Sequence, residues 1–237
     1  MNSAIVAAAG EGKRFGGEMP KQFVEIHGKP LIIHTLQRFE NCSAIDEIVL
    51  VLAATRIEDF QKDAAKFNLT KLKKIVPGGR TRAESVFNGL EAVSANTKIV
   101  AVHDGARPLV SVEEISATLE KAAETGAACL VSKVSDTIKE VAGGKIAGTI
   151  DRSKLRRALT PQCFRLEILQ KAFAHADLSE EVTDECFLVE KLGYEIAVVE
   201  GSARNIKITT PEDLILAEKL LKNFPPFKGG MSEGQGG

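Results

Sequence analysis

The chain has 237 residues, of which 31 are Lys or Arg and 32 are Asp or Glu, so its formal net charge is −1 at pH 7. This balance gives no overall basic field and argues against nucleic acid or an anionic membrane surface as a partner. No apolar stretch approaches the roughly 18 residues of a membrane span, and the first residues have the pattern of a strand and not of a signal peptide, so we expect a cytoplasmic protein.

The length suits one α/β domain, because roughly 200 to 250 residues is a usual size for such folds. We predict a single domain over residues 1–222. Residues 223–237 contain Pro225, Pro226 and a Gly/Ser-rich end that cannot build a core, which predicts a disordered tail. The four cysteines lack C-x-x-C spacing and are expected to be reduced core residues without a zinc site. They are Cys42, Cys129, Cys163 and Cys186.

Strand-like apolar runs recur through the first half of the chain, with amphipathic stretches between them. The runs cover residues 4–9, 47–52, 72–76, 98–103 and 127–131. This alternation favours a parallel sheet covered by helices. In one of the stretches between them, Ala83, Val86, Leu90 and Val93 recur at helical spacing, which predicts a helix that faces the sheet.

The alternation breaks after Ser135. Residues 136–141 and 145–150 read as two strands joined at Gly143-Gly144, which predicts an inserted β-hairpin. Because a lone hairpin is marginally stable in water, we expect this arm, about residues 136–152, to pack against another surface, such as that of another subunit. The elements predicted beyond it are helices at 165–176, 183–192 and 211–221, a strand at 195–199, and an apolar strand that contains Lys207.

A glycine-rich segment directly follows the first predicted strand. Gly10 and Gly12 allow close backbone approach to an anion, and Arg14 and Lys21 add positive charge, which together indicate a triphosphate cradle. The spacing matches neither the dinucleotide fingerprint nor the Walker A loop. An ordinary glycine-rich connection is the alternative interpretation.

Three further segments carry candidate site residues, each with a purely structural alternative. Asp104 follows the fourth strand, where ligands of open α/β sheets collect, and it could hold a divalent cation or form a turn. Ser85 lies in the first turn of the helix after Gly78-Gly79, where it could bond a base or ribose or belong to a plain loop and cap. Lys207 either reaches a phosphate or extends to solvent, and Thr183 reads most simply as a helix cap.

Taken together, nine segments resemble the 2-C-methyl-D-erythritol 4-phosphate cytidylyltransferases over about residues 3–221. They are A-A-A-G-E-G-K-R-F, P-K-Q-F, G-G-R-T-R-A-E-S, V-H-D-G-A-R-P, S-D-T-I-K, T-I-D-R, L-T-P-Q, V-T-D-E and N-I-K-I-T-T-P-E-D. The resemblance implies a homodimeric, Rossmann-like α/β nucleotidyltransferase of the non-mevalonate isoprenoid pathway. Such an enzyme couples CTP to methylerythritol phosphate with Mg²⁺ and releases pyrophosphate.

The resemblance also implies roles for individual residues. Those implied to be catalytic are Arg14, Lys21, Asp104 and Lys207, with Asp104 also associated with the metal. Those implied to bind the nucleotide are Ala8, Ala9, Gly10, Gly12, Gly79, Arg80, Ser85 and Ala106. Those implied on the methylerythritol-phosphate side are Arg107, Thr137, Arg152 and Thr183. The family's hairpin reaches into the partner subunit, so Thr137 and Arg152 would serve the neighbouring site.

Two departures and three rival functions accompany this interpretation. Ala7 replaces a common proline, and Arg80 stands where relatives often carry an acid. A ribitol 5-phosphate cytidylyltransferase would share the nucleotide half, whereas a sugar-1-phosphate nucleotidyltransferase fits the arm and the N-I-K segment poorly. A non-catalytic nucleotide-binding regulatory domain predicts the loss of a phosphate-handling cation, yet Arg14, Lys21 and Lys207 are all present.

Overall fold

The computed structural model of the protein describes residues 1–10, 15, 20–177 and 182–222. The strands are β1 (Asn2–Ala8), β2 (Glu25–Ile26), β3 (Lys29–Pro30), β4 (Glu47–Leu52), β5 (Leu72–Pro77), β6 (Ile99–Asp104), β7 (Ala127–Lys133), β8 (Ile138–Ala142), β9 (Lys145–Ile150), β10 (Arg156–Arg165) and β11 (Ala197–Glu200). The α-helices are α1 (Leu31–Glu40), α2 (Ile57–Ala64), α3 (Arg82–Ala92), α4 (Val112–Thr125), α5 (Leu166–Ala174), α6 (Glu185–Lys191) and α7 (Pro211–Lys222). The predicted tail at 223–237 lies outside the described residues, as do Gly12 and Arg14.

The central sheet has seven strands in the order β11-β7-β10-β6-β1-β4-β5. β1 pairs in parallel with β4 and β6, β4 with β5, and β7 with β11, whereas β10 runs antiparallel to β6 and β7. The sheet is thus mostly parallel and flanked by helices, as predicted. Because the chain passes from β1 to β4 on one side and later returns to β6 on the other, a topological switch point lies at β1, where ligands of such sheets bind.

Both faces of the sheet are covered. Every residue of β4 and β6 is buried, as expected of parallel strands that are covered on both faces. One apolar cluster joins the sheet to α1, α2 and α4, and a second joins it to α3, α5 and α6. Three residues of the predicted stripe, Ala83, Val86 and Leu90, are buried in α3 against the sheet, whereas Val93 follows the end of the helix and is only partly buried.

One predicted strand was wrong, and one long strand was missed. The segment that contains Lys207 is not a strand but a loop over residues 201–210, in which Ile208 N donates to Ala106 O (2.9 Å). The ten-residue strand β10 was not predicted at all, although it joins the two parallel parts of the sheet. Its register shifts between Ala158 and Gln162, and Pro161 lies in that irregular stretch, where a missing N–H is tolerated.

The remaining boundaries differ from the predictions by a few residues. For example, α6 begins at Glu185, two residues later than predicted, and is capped by Asp184, whose Oδ1 accepts from Phe187 N (3.0 Å). Thr183 precedes that cap and is exposed. The four cysteines are free and buried, as predicted. Within the described ranges we find no helix that is long and apolar enough to cross a lipid bilayer.

The predicted hairpin is confirmed as β8 and β9, which form a separate two-stranded sheet. Its apolar side chains are exposed, with Val141 64% and Ile146 68% accessible. An exposed apolar surface on a two-stranded element favours coverage by another surface.

The unpredicted strand β10 gives a test of the fold. The side chain of Phe164, on β10, is fully buried in the apolar cluster that includes α3, α5 and α6. Phe164→Ala should therefore lower the free energy of unfolding by about 3–5 kcal/mol in urea titrations. The control is Val198→Ala on the edge strand β11, whose side chain is 60% exposed and whose effect should stay within about 0.5 kcal/mol. A Phe164 loss no larger than the control's would contradict the packing of β10.

Candidate active site

The carboxyl ends of β1, β4, β5 and β6 meet at one edge of the sheet and surround a cavity of about 720 Å³. That volume is within the usual range for a small-molecule site. Ten of the predicted site residues line it: Ala8, Ala9, Gly10, Lys21, Gly79, Arg80, Ser85, Asp104, Ala106 and Lys207. The structure therefore brings these ten residues together at one cavity, and their roles remain predictions.

The loop after β1 is held by a side chain that the sequence analysis did not single out. Gln22 is buried, and its Nε2 donates to Ala8 O (2.8 Å) and Gly10 O (3.1 Å). These bonds fix the carbonyls on one side of the predicted cradle. Gly78 approaches the same loop so closely that an added Cβ would lie 2.3 Å from Ala9 Cβ, so only glycine fits there.

Asp104 is the centre of the site's charge. Its Oδ1 accepts from Arg82 Nε (3.2 Å), and its Oδ2 is 3.3 Å from Arg107 Nε and 3.0 Å from Lys207 Nζ. Burial would raise the pKa of Asp104, but the charges of Arg82, Lys207 and Arg107 outweigh it and hold that pKa well below its usual range. The carboxylate is therefore ionised throughout the physiological pH range.

A second network holds the backbone of Asp104. Thr160 Oγ1 accepts from Asp104 N (3.1 Å) and donates to His103 Nδ1 (3.0 Å), while His103 Nε2 donates to Arg107 O (3.1 Å). Burial lowers the pKa of His103 to about 4, so the ring is neutral with both nitrogens engaged. His103 is thus a structural support of the site and not a proton carrier.

The other predicted residues on the nucleotide side differ in how they face the cavity. Lys21 Nζ donates to Ile208 O (2.7 Å), which places its charge beside the Lys207 loop. Ser85 Oγ accepts from Gly79 N (3.1 Å) and donates to Thr81 O (2.8 Å). The Arg80 side chain is 92% exposed and pairs with Glu84, so Arg80 borders the cavity without being fixed within it.

The four residues predicted on the substrate side are not among the residues that line the cavity. Arg107 is buried behind Asp104, with its Nη1 donating to Asn205 O (2.9 Å). Thr137 and Arg152 lie at the base of the hairpin and are exposed, and Arg152 donates to Ser135 O. Thr183 is exposed before α6.

Sequence reasoning missed two charged residues that the structure places beside the predicted ones. Arg82 lines the cavity and forms a bidentate ion pair with Glu185, with Nη1–Oε1 2.6 Å and Nη2–Oε2 3.0 Å. Burial raises the pKa of Glu185, and the charge of Arg82 opposes that shift. The available signal was the second arginine of G-G-R-T-R, at the first position of a helix that faces the strand ends.

The donor atoms at Asp104 decide how a metal ion could be held. Among the described residues, no three His, Cys, Asp or Glu side chains lie together as a metal site. Mg²⁺ is typically bound by one or two carboxylates together with substrate phosphates and water. Asp104 therefore fits a Mg²⁺ that phosphates help to hold, and not one that protein side chains hold alone.

A mostly parallel α/β sheet with a cation-lined cavity at its switch point defines a nucleotide-binding protein that handles phosphates. The protein-family model described as 2-C-methyl-D-erythritol 4-phosphate cytidylyltransferase matches residues 2–223. A protein of that name from Bacillus licheniformis is 45% identical over 219 residues, which are 92% of this chain and 94% of the relative. One from Syntrophus aciditrophicus is 44% identical over 222 residues, 92% of this chain and 95% of the relative.

Solved structures of the same family also match this chain. The 4-diphosphocytidyl-2C-methyl-D-erythritol synthase from Anaerococcus prevotii matches with a TM-score of 0.81 and 31% identity over 93% of this chain and 98% of its own. The 2-C-methyl-D-erythritol 4-phosphate cytidylyltransferase from Thermus thermophilus matches with a TM-score of 0.76 and 35% identity over 93% and 98%. The chain belongs to the 2-C-methyl-D-erythritol 4-phosphate cytidylyltransferase family, whose members are nucleotidyltransferases.

The support that Gln22 gives to the cradle can be tested directly. Gln22→Leu keeps the size of the side chain but removes both donors to the carbonyls of Ala8 and Gly10, so the free energy of unfolding should fall by about 1–3 kcal/mol. The rise in Tm on adding CTP should also become smaller, because the cradle is less ordered. Gln61→Leu, on the exposed surface of α2, should change neither quantity, and equal effects of the two variants would contradict this role.

Proposed function

We propose that this chain transfers a cytidylyl group from CTP to 2-C-methyl-D-erythritol 4-phosphate, giving 4-CDP-2-C-methyl-D-erythritol and pyrophosphate in the non-mevalonate isoprenoid pathway. Membership of the family supports this reaction. The observation that carries it to particular residues is the convergence of Lys21, Arg82 and Lys207 on one cavity with Asp104.

The acceptor phosphate needs little activation. A phosphate monoester has its second pKa near 6 and is mostly dianionic at neutral pH. In the proposed reaction one of its oxygens forms a bond to the α-phosphorus of CTP, and the bond from that phosphorus to the bridging oxygen breaks, so pyrophosphate leaves with the electron pair. No proton has to be removed by the protein, which agrees with a His103 that is buried and neutral.

The barrier is then electrostatic, because two anions must approach and charge grows on the leaving group. Lys21 and Lys207 are the cations proposed to neutralise the phosphates, and Asp104 keeps Lys207 and Arg82 directed into the cavity. We propose Asp104 as the protein ligand of a Mg²⁺ that arrives with the triphosphate, where the ion would supply further positive charge to the phosphates.

We further propose a homodimer in which the hairpin β8–β9 reaches the partner's site. The exposed Val141 and Ile146 support coverage of the arm by another subunit. Thr137 and Arg152, at the base of the arm, would then contribute to binding of the acceptor in the neighbouring subunit. The four cysteines are free and buried, as expected of a protein in a reducing compartment, which we propose is the cytoplasm.

The direct test of this function is release of pyrophosphate by the purified full chain. CTP, UTP, ATP and GTP are each assayed with methylerythritol phosphate, with ribitol 5-phosphate or with no acceptor, and with Mg²⁺ or with EDTA. We expect release only with CTP, methylerythritol phosphate and Mg²⁺ together. Release with ribitol 5-phosphate instead would replace the acceptor, and nucleotide binding without release would indicate a regulatory domain.

The proposal that residues of both subunits form each site gives a sharper test. Lys21→Ala should lower turnover by roughly a hundredfold or more, as loss of one charge-stabilising donor does, whereas Arg152→Ala should raise the KM for the acceptor, because a guanidinium captures phosphate bidentately. Co-expressed with two different tags, purified as a mixed dimer and assayed with methylerythritol phosphate well below the KM of Arg152→Ala, the two variants should recover part of the activity, since one site is then intact. A mixed dimer no more active than either variant would exclude exchange of the arm.

A further inference from the structure

One arginine connects the nucleotide side of the site to the segment that carries Thr183. The guanidinium of Arg82 donates through Nε to Asp104, at the end of β6, and through both terminal nitrogens to Glu185, the first residue of α6. The two carboxylates are 81 residues apart in the sequence and belong to different parts of the fold. A planar guanidinium with donors in fixed directions sets the distance and angle between its two acceptors, which a lysine cannot do.

The start of α6 is held from a second direction by Gln162 of β10. Its Oε1 accepts from Glu185 N and Cys186 N (3.1 Å each), and its Nε2 donates to Asp184 Oδ2 (2.8 Å). The backbone directly after Thr183 is therefore fixed to the sheet through Gln162 and to the nucleotide cavity through Arg82. Thr183 itself is exposed, so it is available to a ligand at this edge.

Because this ion pair is buried, it is expected to contribute little to the free energy of unfolding. The Glu185 side chain is fully buried, and the Arg82 side chain is 25% exposed and borders the cavity. Apolar residues of similar size often stabilise a fold as well as a buried ion pair does, whereas the pair fixes geometry. An ion pair at the wall of a cavity, with one member bonded to the central carboxylate, is placed to align that cavity.

We propose that the Arg82–Glu185 ion pair is a positioning device that sets the Thr183 segment at a fixed distance from Asp104 and so aligns the acceptor phosphate with the bound nucleotide. This inference rests on the proposed function for the identity of the two substrates. Arg82 and Glu185 act here as positioning residues: Arg82 acts through Asp104, and Glu185 acts through the backbone of α6.

The two ends of the device make different kinetic predictions. Glu185→Gln keeps the volume and the bonds of Gln162 to the backbone, so Asp104 keeps its contact with Arg82 and the KM for CTP should stay within about twofold. The Thr183 segment loses its charged anchor, and kcat/KM for methylerythritol phosphate should fall roughly tenfold to a hundredfold, as small misplacements of reacting groups do. Glu190→Gln, exposed on the same helix, is the matched control and should change neither constant.

Variants of the arginine separate positioning from charge and from stability. Arg82→Lys keeps the positive charge but not the planar guanidinium with its N–H donors in fixed directions. Its kcat/KM should therefore be lower for both substrates. The double variant Arg82→Met with Glu185→Met removes both buried charges, so its Tm should recover relative to Arg82→Met alone while its kcat/KM for methylerythritol phosphate stays low. Activity that recovers together with Tm would show a purely structural pair and overturn the inference, as would unchanged kinetics in Glu185→Gln or Arg82→Lys.

The wild-type protein in the same assay keeps the two questions apart. Its release of pyrophosphate tests the proposed function, and the ratio of each variant to the wild type tests the positioning device. If the wild type releases none, the rise in Tm caused by methylerythritol phosphate in the presence of CTP is compared instead. A rise in Glu185→Gln as large as in the wild type, or no rise in either, would overturn the inference.

Discussion

One buried carboxylate, that of Asp104, holds three cations from separate parts of the chain, and two of them, Arg82 and Lys207, line the cavity. Arg82 comes from the start of α3, Arg107 from the loop after β6, and Lys207 from the loop before α7. Like charges this close together are held only by an anion between them, and an unpaired buried charge is strongly unfavourable. The position of Asp104 depends in turn on the sheet, because the parallel register of β1 and β6 sets Asp104 beside Ala7, directly before the cradle.

The parallel part of the fold was predictable because its strands are buried on both faces and so appear as continuous apolar runs. β10 could not be predicted in the same way. It begins with Arg156 and Arg157, has Pro161 near its middle, and continues with Gln162, a composition that is atypical of a central strand. The shift of register between Ala158 and Gln162 admits the proline. The buried Gln162 side chain is used to hold the start of α6, and such a long-range role leaves no periodic signal.

The lining of the cavity was predictable where one segment carries both a strand end and a charged or small residue, as at Gly10 and Asp104. It was not predictable where two polar residues that are far apart in the sequence form a single interaction. Arg82 and Glu185 are 103 residues apart, and each stands at a helix start, where the sequence favours a simple role in capping. Lys207 lines the cavity, but the local prediction that placed it in a strand was wrong, since it lies in a loop whose Ile208 N donates to Ala106 O.

The same charge arrangement determines which groups can respond to pH. His103 is the ionisable ring nearest to Asp104, yet burial lowers its pKa to about 4 and both its nitrogens are bonded. Asp104 is held ionised by its three cations, so neither residue changes charge near neutrality. In the proposed reaction, a rate that rises between about pH 5 and pH 7 is therefore expected from the second ionisation of the acceptor's phosphate, whose pKa is about 6, and not from His103 or Asp104. In the proposed reaction, the site would act by placing fixed positive charge around phosphates, and the proton that matters would belong to the ligand.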